Sequence, residues 1–223
     1  MTKPQEFDEI SNQLWDAELR ELQDLWANYH YLYVEDPERT RRLRGPRWGG
    51  FFWNFVQRCI VSETILLISR VTDPPEMGTR RNLTLRALLD DPRLSRQLRC
   101  ELGRELTSIG KAAKKIRKHR HRVVAHKDRR TALGQDALPN LQVREIEDII
   151  AGLQDVHRKH RAACMGSDVW DYGTQTLTGV EKLVTLLEQS ERVRQIFAQA
   201  NRSDEDKVWD WDRARREFFL TRP

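Results

Sequence analysis

The chain has 223 residues, of which 33% are charged and 39% hydrophobic, and its net charge is +5. These values are typical of one soluble globular domain. The longest apolar run, Cys59–Val71, contains Glu63 and Arg70, so the sequence predicts no membrane-spanning segment. The N-terminal residues lack an apolar signal-peptide core, and the three cysteines form no C-x-x-C pair. We therefore expect a cytoplasmic protein with reduced thiols.

The predicted elements in the first third of the chain are helices. Apolar residues recur at helical spacing from Gln5 to Val34, which predicts one amphipathic helix. The segment Glu35–Gly50 holds two prolines and three glycines and is predicted to be a basic loop. A second helix is predicted from about Trp48 to Thr72, and because it is apolar nearly all round it should be central.

Further helices are predicted after a loop at Asp73–Asn82. A short helix is expected at Thr84–Leu89. Asp91 and Pro92 provide an N-cap and a first-turn proline for a long third helix that reaches about Lys127.

Apolar residues at helical spacing also predict a fourth helix around Val143–Val156 and a fifth around Leu177–Ile196. No stretch alternates apolar and polar residues in the manner of a strand. The predicted fold class is therefore an all-α bundle of about five to seven helices. We expect one domain over residues 5–197, followed by a C-terminal tail, 198–223, that is a short helix or flexible.

The third predicted helix carries most of the positive charge. Lys111–Arg130 contains ten basic residues and one acid, a net charge of +9, so the other 203 residues sum to −4. A concentrated basic segment on a mildly acidic body attracts phosphate groups. The alternative is a solvated helix face, because runs of charge usually lie at the surface.

The apolar side of this helix ends in polar residues. Its apolar line runs from Leu98 to Ile116 and next reaches Arg120 and Val123. On a helix, Arg120 and His126 lie about 60° to either side of Val123 and about 9 Å apart along the axis. Since a buried arginine needs an acceptor, this side should face a partner, a ligand or a water-filled cleft.

The segment RHRVVAHKD, Arg120 to Asp128, resembles the signature of the HEPN superfamily of helical RNA-processing domains. That signature is an arginine, a polar residue and then a histidine, and here five residues separate Arg120 from His126. The stretches FFWNFVQRCIVSETILLISRVTDP and NLTLRALL are similar to the AbiU-like branch, known from bacterial abortive-infection systems. The polar residue is usually asparagine in that family, and here it is His121.

The resemblance implies a metal-independent endoribonuclease that acts in phage defence or as a toxin, with Arg120 and His126 as its catalytic residues. Cleavage of RNA without metal needs a base, an acid and a cation for the phosphate charge. Histidine titrates near neutrality and can fill either proton-transfer role, and arginine offers phosphate a planar pair of donors. One His126 per chain is too few for both roles. The resemblance therefore implies a two-fold homodimer with a shared cleft.

The expected partners are RNA, a second copy of the chain and an antitoxin or sensor protein, with no cofactor and no membrane. Basic residues of the third helix are the expected nucleic-acid contacts: Lys114, Lys115, Lys118, Arg122 and Lys127.

Other polar residues are accessory candidates for the site: His121, Asp128, Glu63, Arg70 and Asp73. The last three lie on one side of the second helix, where a buried charge network that locks the helix to its neighbours is favoured over catalysis. Histidine spacings that begin at His119 and His157 would suit zinc, but the cations beside His157 would repel a metal ion. No metal site is predicted.

A second function class remains open. A HEPN module that binds RNA or a partner protein without cutting would keep Arg120 and His126 for structure. The complete pair favours catalysis, whereas His121 in place of asparagine favours binding.

Overall fold

A computed structural model of the chain describes residues 3–77, 79–125, 138–166 and 177–203. Within these residues lie eight α-helices, and a two-residue antiparallel pairing of Glu76–Met77 with Arg80–Arg81. The helices are α1 Lys3–Leu14, α2 Arg20–Tyr33, α3 Pro37–Arg44, α4 Gly50–Thr72, α5 Arg96–Ala112, α6 Lys114–His119, α7 Val143–Met165 and α8 Leu177–Ser203. The predicted all-α class is confirmed.

The first predicted helix is continuous but contains a wider turn. A π-helical segment, Trp15–Leu19, joins α1 to α2. Both Trp15 and Leu19 are buried in the core, and the Trp15 ring stacks on the His157 ring with centroids 6.0 Å apart. Single π-helical turns inside α-helices shift the faces that follow them, so the inserted turn changes which side of α2 meets the core.

The prediction of a loop at Glu35–Gly50 is wrong, because this segment contains α3 and a 3-10 turn at Pro46–Trp48. Asp36 is the N-cap of α3, and its Oδ1 accepts hydrogen bonds from the backbone N–H of Glu38 at 2.8 Å and of Arg39 at 3.1 Å. Asp followed by Pro is a helix-start signal. The glycines and the proline that follow α3, together with Pro37 at its first position, concealed that signal.

Helix α4 begins after a tight turn. Gly49 has a φ of 74°, and a Cβ on Gly50 would lie 2.3 Å from the Arg44 carbonyl oxygen, so both positions require glycine. By length and composition alone, α4 is the one described helix that could cross a membrane. Core helices of soluble proteins pass the same test, and Ile65, Leu67 and Ile68 of α4 are buried in the core.

The third predicted helix starts later than expected and is interrupted. The first helical residue of α5 is Arg96, and the Oγ of Ser95 caps the helix by accepting a hydrogen bond from the Leu98 N–H at 3.2 Å. The expected N-cap, Asp91, follows a 3-10 turn at Leu85–Asp90. A break at Ala113 separates α5 from α6, and a π-helical segment, Arg120–Ala125, follows α6.

One hydrophobic core is formed by buried side chains of α1, α2, α4, α5, α6, α7 and the two turns at Trp15–Leu19 and Leu85–Asp90. It lies in a compact unit that ends at Leu177, and the described residues 178–203 belong to a second unit. The predicted boundaries, 5–197 for the domain and 198–223 for the tail, stay predictions, and residues 204–223 lie outside the described residues.

Asp91 is the centre of a buried polar cluster. Arg93 donates to both of its carboxylate oxygens, from Nε to Oδ1 at 3.0 Å and from Nη2 to Oδ2 at 2.7 Å. His160 Nε2 lies 3.0 Å from Oδ2. Arg93 also donates to Asp8 at 2.7 Å and to the Cys164 carbonyl oxygen at 3.0 Å. Burial by itself would raise the pKa of Asp91, but the hydrogen bonds and charge of Arg93, with His160, lower it to about 2.

We expect Asp91→Ala to lower the free energy of unfolding by about 3–5 kcal/mol, because it leaves Arg93 partly buried without its main acceptor. Urea unfolding followed by circular dichroism measures this change. Asp90 is exposed, so Asp90→Ala should change stability by no more than about 0.5 kcal/mol. Equal effects of the two substitutions would show that the cluster does not stabilise the fold.

Candidate functional site

Arg120 docks against the C-terminal end of α4. It is the first residue of the π-helical segment, and its Nη1 lies 2.8 Å from Oδ2 of Asp73, the C-cap residue of α4. The side chain of Arg120 is 29% exposed and that of Asp73 is 17% exposed. Arg120 therefore continues the inward side of its helix, as its spacing predicts, and Asp73 is the acceptor that a partly buried arginine requires.

A second arginine, Arg117, reaches the same end of α4. Its Nη1 donates to Thr72 Oγ1 at 3.0 Å, and its Nη2 donates to the Gly110 carbonyl oxygen at 2.7 Å. The last turn of a helix carries carbonyl groups without intrahelical partners and the negative end of the helix dipole. Both features favour cations at this position. Sequence analysis overlooked Arg117, although it stands three residues before Arg120 and shares its helix face.

The two histidines beside Arg120 differ in environment. His119 is half-buried, its Nδ1 has no hydrogen-bond partner in the described part of the chain, and burial lowers the pKa of its imidazole. Burial therefore favours the neutral form of His119. His121 is exposed, although it follows Arg120 directly in the chain.

The structural description stops at Ala125 and resumes at Leu138, so His126, Lys127 and Asp128 lie outside the described residues. The pairing of Arg120 with His126 stays a prediction. The structure describes the environment of Arg120, the first residue of the motif.

The basic strip, Lys111–Arg122 in its described part, is only partly available to a ligand. Lys114 and Lys118 are exposed. The Nζ of Lys115 lies 2.5 Å from Oε1 of Glu145, and this hydrogen bond lowers the pKa of Glu145. Arg122 is half-buried and has a polar interaction within the chain. Lys114 and Lys118 are therefore the better phosphate contacts of the predicted set.

Glu63 and Arg70 form a network that does not include Asp73. Arg70 Nε lies 3.0 Å from Glu18 Oε2, and Arg70 Nη2 lies 3.4 Å from Glu63 Oε1. The network links α4 to the π-helical turn that contains Glu18, as the structural interpretation predicts. It is not buried, however, since the Arg70 side chain is 47% exposed. The network stays near the surface because charged side chains lose favourable hydration when they are buried.

The histidines of α7 serve the core. His157 Nε2 lies 3.0 Å from the Ser11 carbonyl oxygen, and burial lowers the pKa of His157 to about 4. His160 belongs with Asp91 and Cys164 to a cluster whose potential ligand atoms lie within 4.8 Å of one another. Arg93 occupies the Asp91 carboxylate, and burial together with Asp91 raises the pKa of the Cys164 thiol to about 11. A protonated thiol beside a guanidinium group is a poor cation site.

We expect the ion pair between Asp73 and Arg120 to contribute about 1–2 kcal/mol to stability, because both side chains are largely removed from solvent. A double-mutant cycle with Asp73→Asn, Arg120→Gln and the double variant isolates this coupling from other effects of each change. Urea unfolding of the four proteins measures it. A coupling energy near zero would show that the two side chains do not interact in solution.

Comparison with known proteins places this arrangement in a family. The sequence profile of the AbiU2 family of HEPN domains matches residues 4–182, which is most of the chain. No curated protein and no solved structure gives a match. The matched range contains α4 with its C-terminal Asp73, the docked Arg120 and the whole basic strip. The chain therefore belongs to the AbiU2 family of HEPN proteins.

Proposed function

We propose that this abortive-infection-type HEPN protein is a metal-independent endoribonuclease that acts in phage defence or as a toxin. The observation that carries the proposal is the position of Arg120. This arginine is partly buried, oriented by Asp73, and stands at the end of a strip that exposes Lys114 and Lys118. A guanidinium held by Asp73 beside exposed lysines suits a phosphate group that is first attracted and then held in one geometry.

The reaction is an internal phosphoryl transfer within RNA. A base removes the proton from a 2′-hydroxyl group, and the 2′ oxygen forms a bond to the adjacent phosphorus. The bond from phosphorus to the 5′ oxygen of the next nucleotide breaks, and an acid protonates that oxygen. His126 supplies the proton transfers, and Arg120 stabilises the extra negative charge on the phosphate.

Asp73 gives Arg120 a defined orientation before RNA binds. It engages Nη1, and arginine has five N–H donors, so further donors stay available to a phosphate oxygen. Holding the guanidinium in place in advance reduces the entropy that is lost when the transition state forms. In this proposal Asp73 is a positioning residue, and it does not touch the RNA.

Two copies of the chain supply the two proton-transfer groups. Each chain has one His126, and a two-fold dimer that pairs the Arg120 segments brings two of them together. The exposed Val123, three residues after Arg120, offers this segment an apolar contact surface. A nuclease of this kind also needs an antitoxin or sensor protein that restrains it in the host.

A second candidate function is a HEPN module that binds RNA or a partner protein without cutting. The ion pair of Arg120 with Asp73 favours it, because a motif arginine engaged inside its own chain can serve structure alone. His121 in place of asparagine points the same way. Cleavage assays decide between the two functions.

We expect His126→Ala to abolish cleavage and toxicity while RNA affinity stays, because a neutral imidazole adds little to binding. Arg120→Lys should slow cleavage by roughly 30- to 1,000-fold, since lysine keeps the charge and loses the two-donor geometry. Gel analysis of an end-labelled RNA measures both, and products should carry 2′,3′-cyclic phosphate ends.

The matched control for this pair is His121→Ala, which removes an exposed imidazole next to Arg120 and should retain cleavage within a few-fold. Cleavage should also survive EDTA. Activity that disappears with a chelator and returns with Mg²⁺ contradicts the mechanism, and activity unchanged in His126→Ala favours the binding module.

We expect mixtures of wild type and His126→Ala to reveal a shared site. If each site needs a histidine from both chains, only dimers of two wild-type chains cut RNA. An equal mixture, equilibrated to exchange subunits, should then show about a quarter of the activity of the same total amount of wild type. Independent sites would show about half, and light scattering of a monomer at micromolar concentration would also exclude the shared cleft.

We expect the exposed lysines to determine the salt dependence of RNA binding. For single strands, the slope of log K against log salt changes by about 0.7 for each phosphate contact, so Lys114→Ala with Lys118→Ala should reduce it by about 1.4. Fluorescence anisotropy at several salt concentrations measures the slope. Lys115→Ala is the control, because Lys115 is paired with Glu145 and should change the slope by much less. A double variant that binds like wild type at every salt concentration would make the strip an ordinary solvated surface.

A further inference from the structure

A second basic segment, far along α4 from Arg120, combines charge with aromatic rings. Residues 39–58 contain six arginines, five aromatic residues and no acid. They form most of α3, the 3-10 turn at Pro46–Trp48 and the first turns of α4. Close packing of the Arg44 carbonyl group against Gly50 holds the end of α3 beside the start of α4.

The aromatic residues of this segment divide into two groups. Trp48 and Trp53 are buried, with exposures of 8% and 4%, and anchor the turn to the body of the protein. Phe51, Phe52 and Phe55 point outward, with exposures of 84%, 55% and 51%. Helical spacing produces this division, because Phe51 and Phe55 stand one turn apart on the side that faces away from Trp53. Three exposed phenylalanines on the first two turns of α4 form an apolar patch that is costly to hydrate unless a partner covers it.

The arginines around these rings also divide. Arg39, Arg41 and Arg42 are engaged within α3 and its neighbours, by Tyr31 and by Glu38. Arg44 and Arg58 are exposed, and neither forms an ion pair with a carboxylate in the described ranges. The first turn of α4 contains no acid and has no side-chain cap, so the positive end of the helix dipole adds to the arginines. The patch therefore presents aromatic rings within a positive field.

A second copy of the chain does not fit this patch. In a two-fold contact the same patch meets itself, so the arginines of 39–58 would oppose identical arginines with no acid in the segment to pair with them. The dimer proposed above also lies elsewhere. From Phe55 to Asp73 is 18 residues, about 27 Å along α4, whereas a standard interface centred on Arg120 covers about 800 Å² per chain, a radius of roughly 16 Å.

Single-stranded RNA fits both the exposed aromatic rings and the positive charge of the patch. Exposed rings stack on unpaired bases, arginines contact the phosphates between them, and a duplex keeps its bases stacked inside and offers none to a ring. Eighteen residues are five helical turns, so Phe55 and Asp73 lie on the same side of α4. A strand that passes through the Arg120 site can therefore follow one face of the helix to the phenylalanines.

We infer that Phe51, Phe52 and Phe55, with Arg44 and Arg58, form a platform that binds single-stranded RNA at a distance from the cleavage site. This inference rests on the proposed function and specifies its substrate as unpaired RNA. The platform lies about 27 Å from Asp73, a distance of roughly eight nucleotides at 3.4 Å each. It therefore selects long single strands over short ones.

The test compares RNA binding by variants in a His126→Ala background, in which no cleavage interferes. Phe51→Ala with Phe55→Ala should weaken binding of an unstructured RNA of about 20 nucleotides by at least about tenfold, because each stacked base is lost. Binding of an RNA of about five nucleotides, and of a duplex, should change by less than about twofold, since neither can use the platform while it occupies the Arg120 site. Fluorescence anisotropy gives the affinities, and circular dichroism checks the fold.

Matched aromatic and aliphatic variants separate stacking from general apolar contact. Phe51→Tyr with Phe55→Tyr should keep the affinity for long RNA within about threefold, whereas Phe51→Leu with Phe55→Leu should lose it as the alanine pair does. Leucine variants that bind like wild type, or alanine variants that change the oligomeric mass and leave RNA binding unchanged, would overturn the inference and assign the patch to a protein partner.

The proposal of a binding platform and the proposal of nuclease activity can be contradicted separately. If the wild type cuts no RNA but long RNA binding depends on Phe51 and Phe55, the platform stands and the nuclease falls. If the wild type cuts RNA and the alanine variants bind and cut long RNA normally, the platform falls and the nuclease stands. A wild type that binds no RNA overturns both.

Discussion

The end of α4 is the constraint on which the candidate site depends. This helix is the most apolar one among the described residues, and its last turn would expose carbonyl groups and a negative dipole end to a partly dry environment. Arg117 donates a hydrogen bond to Thr72 Oγ1, and Arg120 forms an ion pair with Asp73. The two arginines therefore stabilise the fold and also fix the position of the motif.

This dual use of Arg120 has a chemical consequence. An arginine held only by solvent would lose conformational freedom on meeting phosphate, and an arginine fully buried in ion pairs could not meet it at all. Arg120 lies between these limits, with one donor on Asp73 and a side chain that still contacts solvent. In the proposed function, a phosphate would therefore meet a guanidinium group that is already oriented. Burial lowers the pKa of the neighbouring His119 imidazole, which favours its neutral form.

The basic side chains at the surface differ in whether a carboxylate lies close enough to pair with them. Lys115 and Arg70 stand near carboxylates of other elements and pair with them. Lys114 and Lys118 remain exposed on the strip, and Arg44 and Arg58 remain exposed beside the phenylalanines. The positive field thus has two centres, one at each end of α4. The aromatic residues accompany only one of them, which is why the two proposals give the two ends different roles: phosphate chemistry at Arg120 and base stacking at Phe55.

Sequence periodicity was sufficient for the all-α class, the central position of α4, the fourth and fifth helices and the inward direction of Arg120, because these depend on local spacing of apolar side chains. The HEPN resemblance likewise depends on residues that are close in the chain.

Three features could not be predicted from local sequence patterns. α3 was concealed because it begins with Pro37 and is followed directly by Gly45 and Pro46. Asp91 has the appearance of a helix cap, but Arg93 and His160 capture its carboxylate, and His160 comes from 69 residues away. The partner of Arg120, Asp73, is 47 residues distant, so only tertiary packing of α4 against α6 brings the two together. Local sequence sets which residues form helices, whereas the pairing of charged side chains is decided by which helix ends meet.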